Sequence, residues 1–272
     1  MEIICPVCGA KLIRENRSAV CAGRHSFDYA RQGYLNLLIR QSTDHGDNRE
    51  MVQARTRFLN SGAYAFLKDE LVRISEEYRP GILADLGCGE GYYTCGLAAD
   101  EKYGFDMSKD AVRHASASDK STQYIIASIF HLPMPDQCAD MVLTCFAPFA
   151  GSEVMRILRP GGIFVFVSPA PKHLAELKQV LYDRPYDNAA VPLSTVLTKE
   201  KEYVTEHVFH ADQTMIQNLF MMTPYAHRTS ENDIRKLSSV QSLDITASFL
   251  IRIFRKPLED AAGLPRRRDR NQ

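Results

Sequence analysis

The hydrophobic pattern of the chain changes near residue 80. From residue 82 onward, short runs rich in β-branched and aromatic residues alternate with stretches in which apolar residues recur at helical spacing. The runs cover residues 82–86, 103–106, 124–127, 141–145 and 163–168, and two more at 203–210 and 244–254 flank a helical stretch at 212–222. Such alternation is typical of an α/β fold with a mostly parallel, Rossmann-like sheet, here of seven strands.

The segment before residue 82 has a helical period with one interruption. Apolar residues recur every three or four positions from Tyr64 to Ile74, and Ser61-Gly62 breaks the pattern upstream, so we expect two consecutive helices. Residues 41–50 are polar and without period, which is typical of a linker. The expected organisation is a small module at 1–40, a linker and helix at 41–62, a large domain at 63–256 and a disordered basic tail at 257–272.

Composition narrows the class of protein. The chain has 272 residues, 45% of them hydrophobic, which excludes a disordered or fibrous protein and predicts a soluble globular one. Its apolar runs are much shorter than the ~20 residues of a membrane-spanning helix, and residues 1–5 lack the features of a signal peptide. We therefore expect a cytoplasmic protein that has no membrane partner.

Charge is balanced over the whole chain, with 33 basic and 33 acidic residues. No overall positive field would steer a polyanion toward such a protein, so any basic surface must be local. Two segments qualify, and their basic residues are Lys11, Arg14, Arg17, Arg24, Arg31 and Arg40 near the N-terminus and Arg266, Arg267, Arg268 and Arg270 in the tail. Each segment is either a binding surface or simply a solvated part of the chain.

Three of the seven cysteines form a metal-ligand pattern with a histidine. Cys5, Cys8, Cys21 and His25 have the spacing C-x2-C-x12-C-x3-H, which is that of a four-coordinate zinc site. Four protein ligands leave no open position, so the pattern predicts a structural metal. A segment of about 40 residues buries too little apolar surface to fold alone, whereas zinc contributes on the order of 10 kcal/mol. We expect the other four cysteines to be small buried hydrophobic residues.

A glycine-rich turn follows the first predicted strand of the large domain. Asp85-Leu-Gly87-Cys-Gly89-Glu90-Gly91 is expected to open a helix and to let the backbone approach a nucleotide-like ligand closely. The spacing is not that of dinucleotide-binding proteins. Asp85 and Glu90 would repel a pyrophosphate, but they suit the ammonium and sulfonium charges of S-adenosylmethionine. At the end of the next strand, Asp106 is placed to accept two hydrogen bonds from a ribose diol.

These motifs resemble those of the class I S-adenosylmethionine-dependent methyltransferases. The zinc pattern makes the resemblance more specific, because the chain as a whole is similar to the bacterial 23S ribosomal RNA guanine-N1 methyltransferases up to about residue 255. The motifs that carry this similarity are Cys5-Pro-x-Cys8, Cys21-x-x-x-His25-Ser-Phe-Asp28, Gly33-Tyr-Leu-Asn-Leu-Leu38, Gly87-Cys-Gly-Glu-Gly-Tyr-Tyr-Thr94 and Pro169-Ala-Pro-Lys-His173-Leu, whereas Leu158-Arg-Pro-Gly-Gly162 belongs to the wider class I resemblance.

The resemblance implies an enzyme that methylates N1 of a guanine in a 23S rRNA hairpin loop, while the zinc module helps to hold the RNA. It also implies that Tyr64 and His173 contact the methyl donor. From the pattern alone, Tyr64 would be a core residue of its helix. Ser128 follows the third strand and either meets the adenine edge or simply ends the strand.

The sequence indicates candidate residues for the acceptor site, but each has an alternative interpretation. Phe146 and Phe149 follow the fourth strand, where a flipped base could stack on one of them, although both could equally be core residues. His131 is a further candidate for base placement, with a hydrogen-bonded structural histidine as the alternative. No general base is identified, and neither the target guanine nor a homodimer is decided by the sequence.

Two other functions share parts of this pattern. A small-molecule methyltransferase, acting for example on a quinone, would need the donor motifs but no zinc module. A non-catalytic RNA-binding protein with zinc would have the architecture but would not transfer a methyl group.

Overall fold

The computed structural model describes residues 3–39, 49–193, 196–227 and 229–258. Its strands are β1 (Ile13–Glu15), β2 (Ser18–Val20), β3 (Ser26–Asp28), β4 (Leu35–Asn36), β5 (Ile82–Leu86), β6 (Glu101–Asp106), β7 (Thr122–Ile126), β8 (Ala139–Cys145), β9 (Leu158–Pro169), β10 (Thr198–Asp212) and β11 (Ser242–Arg255). The α-helices are α1 (Arg49–Leu59), α2 (Ala65–Tyr78), α3 (Lys109–Ser118), α4 (Gly151–Ile157), α5 (Ala175–Leu181), α6 (Gln213–Met221) and α7 (Glu231–Leu237).

The main sheet has the strand order β10-β11-β9-β8-β5-β6-β7-β4. All its neighbouring strands are parallel except β11, which runs antiparallel to both β9 and β10. This arrangement confirms the mostly parallel α/β sheet, and each of the seven expected runs forms a strand. The carboxyl ends of β5, β6, β7, β8 and β9 consequently lie along one edge of the sheet.

The predicted count of seven strands is wrong, because the described part of the sheet has eight. The additional strand, β4, comes from the N-terminal segment and pairs in parallel with β7, Leu35 opposite Ile125. It spans only two residues, and so short a segment shows no period in the sequence. The small sheet β1-β2-β3, which is antiparallel, lies in the same segment.

The two helices expected before β5 are present as α1 and α2. The helix expected directly after the glycine turn is not formed in the described chain, which has only a short 3-10 turn at Thr94–Gly96. Here the backbone carbonyls of Thr94 and Cys95 accept hydrogen bonds from the Lys102 ammonium group, and the Thr94 hydroxyl donates to Asp85. Since β6 begins at Glu101, little chain is left for a helix.

Two apolar cores cover the two faces of the sheet. On one face, α1, α2, α5 and α6 pack against the inward side chains of β5, β8, β9 and β11. On the other face, Ile3, Leu12 and Leu35 of the N-terminal segment share a core with Phe105 and Phe164. Burying a large apolar side chain stabilises a protein by roughly 1.5 to 3 kcal/mol, so this shared core binds the small segment to the large domain.

Some of the predicted features lie outside the described residues. These are most of the linker at 41–48, Arg40, and the basic tail from residue 259 onward, including its four arginines. Among the helices that the structure does describe, none has the length and apolar character needed to cross a membrane.

Candidate functional site

The four predicted metal ligands converge in the N-terminal segment. The sulfur and nitrogen atoms of Cys5, Cys8, Cys21 and His25 all lie within 4.8 Å of one another. The imidazole Nδ1 of His25 is 3.5 Å from the Cys5 sulfur and 3.4 Å from that of Cys21, and the sulfurs of Cys8 and Cys21 are 3.6 Å apart. With metal–ligand distances of 2.0 to 2.3 Å, a tetrahedral zinc site has edges of roughly 3.5 to 3.8 Å. The arrangement therefore fits a zinc ion.

The chemistry of Cys21 also suits a metal ligand. Burial favours its neutral thiol, but hydrogen bonds from the His25 backbone and from the side chains of Cys8 and His25 outweigh burial and lower the pKa to about 7. The thiolate is the form that binds metal. Among the other cysteines, Cys88 and Cys145 are buried, as expected, whereas Cys95 and Cys138 are partly exposed.

The glycine turn between β5 and the 3-10 turn is held by its neighbours. Gly87 has φ of 83°, and a Cβ atom there would clash with the side chain of Ala147, so only glycine fits. The backbone N–H of Gly89 donates to Asp106 Oδ2 at 2.9 Å, and that of Ser108 donates to Oδ1 at 2.8 Å. A carboxylate has about four acceptor positions, so Asp106 can support the turn and still accept bonds from a ribose.

Asp85 lies beneath the turn and is 2% exposed. Its Oδ2 accepts a hydrogen bond of 2.5 Å from the Thr94 hydroxyl, whereas Oδ1 has no hydrogen-bond partner among the described residues. Burial, aided by the nearby Asp106, raises the pKa of Asp85 to about 7, against the opposing effect of Thr94. A buried carboxylate with an unbonded oxygen is a site for a cationic ligand.

Glu90 is the second buried acid of the turn, and α1 supplies its partner. An Nη1 atom of Arg55 lies 3.5 Å from Glu90 Oε2, and the Glu90 side chain is almost fully buried. The same Nη1 is 3.7 Å from the position of a Cβ on Gly89, which places the guanidinium at the turn. Sequence reasoning missed Arg55, because the period of α1 indicates only a helix.

Tyr64 and His173 are 109 residues apart in sequence and lie next to each other in the fold. The Tyr64 hydroxyl is 3.5 Å from His173 Nε2, and the backbone N–H of Ser248 donates to His173 Nδ1 at 3.2 Å. Burial, with a contribution from Lys178, lowers the pKa of His173 to about 3, so the ring is neutral. Because Nδ1 accepts a bond, the proton resides on Nε2, which donates toward Tyr64.

Phe146 follows β8 in a conformation that is rare for a residue with a side chain. Its φ is 60° and it is 43% exposed. Its ring lies 5.0 Å from that of Phe249 and 6.1 Å from that of Tyr93, measured between centroids. The next residue, Ala147, is the one that abuts Gly87. An exposed aromatic ring is thus held, at a cost of about 1 to 3 kcal/mol, beside the glycine turn.

The other candidates have different surroundings. Phe149 stacks on Phe164 at 5.6 Å, on the sheet face opposite to that of Phe249. His131 is exposed and follows Ser128 in a loop after β7. Ser128 is partly buried, and its hydroxyl oxygen accepts a hydrogen bond from the backbone N–H of Phe130 at 3.3 Å.

Comparison with known proteins assigns a family to the segment with the metal ligands and to the segment with the glycine turn. Residues 3–42 match the zinc-ribbon family described as "RlmA, N-terminal", and residues 84–166 match the family described as "Methyltransferase domain". The protein YxjB of Bacillus subtilis, provisionally named a 23S rRNA (guanine-N(1)-)-methyltransferase, is 32% identical over 263 residues, which are 89% of this chain and 93% of YxjB. The chain belongs to the 23S rRNA (guanine-N1)-methyltransferase family.

Two further relatives carry related names. The 23S rRNA (guanine(748)-N(1))-methyltransferase of Streptomyces fradiae is 39% identical over 186 residues, 65% of this chain and 66% of that protein. A Micromonospora griseorubida protein, provisionally named a 23S rRNA (guanine-N(1)-)-methyltransferase, is 34% identical over 198 residues, 64% of this chain and 67% of its own length. Membership of the family makes the large domain an S-adenosylmethionine-dependent methyltransferase domain and the N-terminal segment a zinc ribbon.

Proposed function

We propose that the protein transfers the methyl group of S-adenosylmethionine to N1 of a guanine in a hairpin loop of 23S rRNA, in the cytoplasm. The observation that carries this proposal is the exposed, strained Phe146 beside the glycine turn. An unpaired base can stack on such a ring and present its edge to the donor. The names of the relatives specify guanine N1 as the acceptor.

The donor is held by the residues around the turn. When bound, S-adenosylmethionine supplies an electrophilic methyl group on its sulfonium. Asp85 and Glu90 offer negative charge to its cationic groups, and Asp106 accepts bonds from the ribose. The remaining contacts that we assign to the donor are backbone approach at Gly87, Gly89 and Gly91, the side chains of Tyr64 and His173, and Ser128 at the adenine edge.

Among the described residues, neither Tyr93 nor His173 can serve as a general base near Phe146. Burial holds the pKa of the Tyr93 phenol well above its usual range, and it holds that of His173 at about 3. Neither group accepts a proton well at neutral pH. Alignment of the guanine with the donor therefore carries most of the catalysis, since proximity and orientation contribute ~7 to 11 kcal/mol. Phe146 is our first candidate for positioning the target base, and Phe149 and His131 are less favoured candidates.

The zinc module supplies a basic surface for the RNA. Its exposed cationic side chains in the described residues are Lys11, Arg14, Arg17, Arg24 and Arg31. The guanidinium of Arg14 lies 4.5 Å from the centre of the partly buried Tyr29 ring, whereas Tyr34 is buried and serves the core. We propose that residues 1–40 contact phosphates of the hairpin and that residues 63–256 perform the methylation.

The test compares 23S rRNA from cells with and without the gene, with mass mapping of methylated nucleotides. We expect one guanine to lose an N1 methyl group in the absence of the gene, and the purified protein to restore it from S-adenosylmethionine. Methyl transfer to a quinone but not to RNA would favour the small-molecule enzyme. Donor binding without transfer to either would favour the binding protein. Sedimentation of the purified protein tests the homodimer.

A further inference from the structure

We infer that Arg55 and Glu90 form a paired site for the zwitterionic amino-acid end of the methyl donor. In this pair Arg55 binds the donor carboxylate, and Glu90, together with Asp85, binds its ammonium group. The inference rests on the proposed use of the glycine turn for the donor and adds a residue from α1. Arg55 lies between the segments 3–42 and 84–166 that match the two families.

The geometry places the guanidinium where this end of the donor is expected. Arg55 Nη1 is 3.5 Å from Glu90 Oε2, beyond hydrogen-bond reach but within ion-pair distance, and it is 3.7 Å from the position of a Cβ on Gly89. The Arg55 side chain is 23% exposed and that of Glu90 5%. A planar guanidinium with several N–H donors can contact Glu90 and a second carboxylate at the same time.

The negative charge of the turn explains why a cation is needed beside Glu90. Asp85, Glu90 and Asp106 make the turn strongly acidic, which suits an ammonium and a sulfonium but would repel a carboxylate. Two lysines lie near the following loop and are engaged there. Lys102 donates to the carbonyls of Thr94 and Cys95, and Lys68 donates to the Cys95 sulfur at 3.4 Å. Of these three cations, Arg55 is the one placed to offset the repulsion of the donor carboxylate.

The helix that carries Arg55 is fixed on both sides. Val52, Phe58 and Leu59 are buried, and the Phe58 ring meets the Tyr64 ring edge to face at 4.9 Å. The packed helix fixes the backbone position from which the Arg55 side chain reaches the glycine turn. The same packing links Arg55 to Tyr64, which we assign to the donor.

The experiment measures binding of two ligands by calorimetry. S-adenosylhomocysteine has the whole amino-acid end, and S-adenosyl-3-thiopropylamine lacks only its carboxylate; both have a neutral sulfur. We expect the parent to prefer the first ligand by about 10- to 100-fold, because an ion-paired carboxylate is lost in the second. Arg55→Gln should reduce this preference to less than about 3-fold, and Arg55→Lys should restore part of it.

Arg57→Gln is the matched control. Arg57 lies on the same helix and donates a hydrogen bond to Asn218 Oδ1 at 2.9 Å. The Arg57→Gln variant should therefore have the same ligand preference as the parent. If Arg55→Gln keeps the full preference while binding both ligands, the inference is overturned and the donor site stands. If the parent binds neither ligand, the proposed donor site itself is wrong. Equal loss of both ligands in Arg55→Gln would assign Arg55 to the shape of the turn and would also overturn the inference.

Discussion

Burial, more than any immediate partner, controls the pKa values of Asp85 and His173, two residues of the proposed donor site. Asp85 is surrounded by the sheet and by Thr94, and burial together with Asp106 brings its pKa to about 7. The same burial lowers the pKa of His173 to about 3. The two groups therefore respond differently to pH changes near neutrality. His173 stays neutral, whereas Asp85 is close to its titration midpoint and changes its charge.

Donor affinity should consequently depend on pH through Asp85. The ammonium group of the ligand favours the Asp85 carboxylate, so affinity should rise as pH increases through about 7, and S-adenosylhomocysteine should bind about tenfold more weakly at pH 6 than at pH 8. Calorimetry across this range checks the prediction. Asp85→Asn should bind more weakly and show a flat profile; a profile equally steep in this variant would assign the titration to another group.

Linkage gives the sign of the accompanying stability effect. Asp85 has a folded pKa above its unfolded value of about 3.8, so between pH 4 and 7 the folded chain holds a proton that the unfolded chain has lost. This group therefore lowers the free energy of unfolding as pH rises through that window, and bound donor offsets the loss.

Phe146 should act on the acceptor and not on the donor. Phe146→Ala removes the exposed ring while keeping a side chain at φ of 60°, so kcat/KM for RNA should fall about 10- to 100-fold, the loss expected from one base-stacking contact. S-adenosylhomocysteine affinity should change less than about 3-fold. Phe146→Tyr, which preserves the ring, is the control and should stay near the parent rate. Loss of donor affinity in Phe146→Ala would instead give the ring a role in supporting the turn.

Residues of the site were predictable when a short motif carried them. The spacing of Cys5, Cys8, Cys21 and His25 predicted their convergence, because local hooks fix the distances between ligands. Arg55 has no such motif. Its contact with Glu90 depends on how α1 packs across the turn, which no local pattern in the sequence contains.

At the scale of elements, long periodic segments were predictable and short ones were not. The strands β5, β8 and β9 follow from their apolar runs, and the helices α1 and α2 follow from the helical spacing of apolar residues. The missing helix after the glycine turn follows from tertiary contacts, since Lys102 and Asp85 engage that segment. The two-residue β4 is likewise held by its partner β7 and by the shared core.

Metal binding should stabilise the pairing of the N-terminal segment with β7 at the edge of the main sheet. Cys21→Ser removes one zinc ligand, so the protein should lose the metal, and the backbone N–H of Leu37, which donates to Ile126 at 2.9 Å, should exchange faster with solvent. Metal analysis and hydrogen exchange measure the two effects. Donor affinity should change less than about 3-fold, because the glycine turn follows β5, which lies in the middle of the sheet and away from the β4 edge. Cys138→Ser, outside the metal site, is the control.

Two results would contradict this picture. Full metal content in Cys21→Ser would show that the site is not the one formed by these four residues. Unchanged exchange at Leu37 after loss of the metal would show that the shared core with Ile3, Leu12 and Leu35 holds the segment without zinc.

At the scale of the whole molecule, the balanced net charge and the local basic surface have different consequences. A neutral protein gains no general attraction to RNA, so affinity depends on individual phosphate contacts. The zinc module lies at the β4 edge of the main sheet, and β10 forms the opposite edge. The contributions to RNA binding of cationic residues near β4 and of cationic residues far from it can therefore be compared within one protein.

The salt dependence of RNA binding should locate the RNA on this surface. Replacing both Arg24 and Arg31 with Gln should reduce the log–log salt slope for a hairpin of 23S rRNA by about 1 to 2 units, because each phosphate contact adds ~0.7 to 0.9. Zinc content and donor affinity should remain as in the parent. Replacing Lys199 and Arg235, exposed residues of β10 and α7, removes the same charge and should leave the slope unchanged. Equal slopes for all three proteins would place the RNA elsewhere and reduce the zinc module to a support for β4.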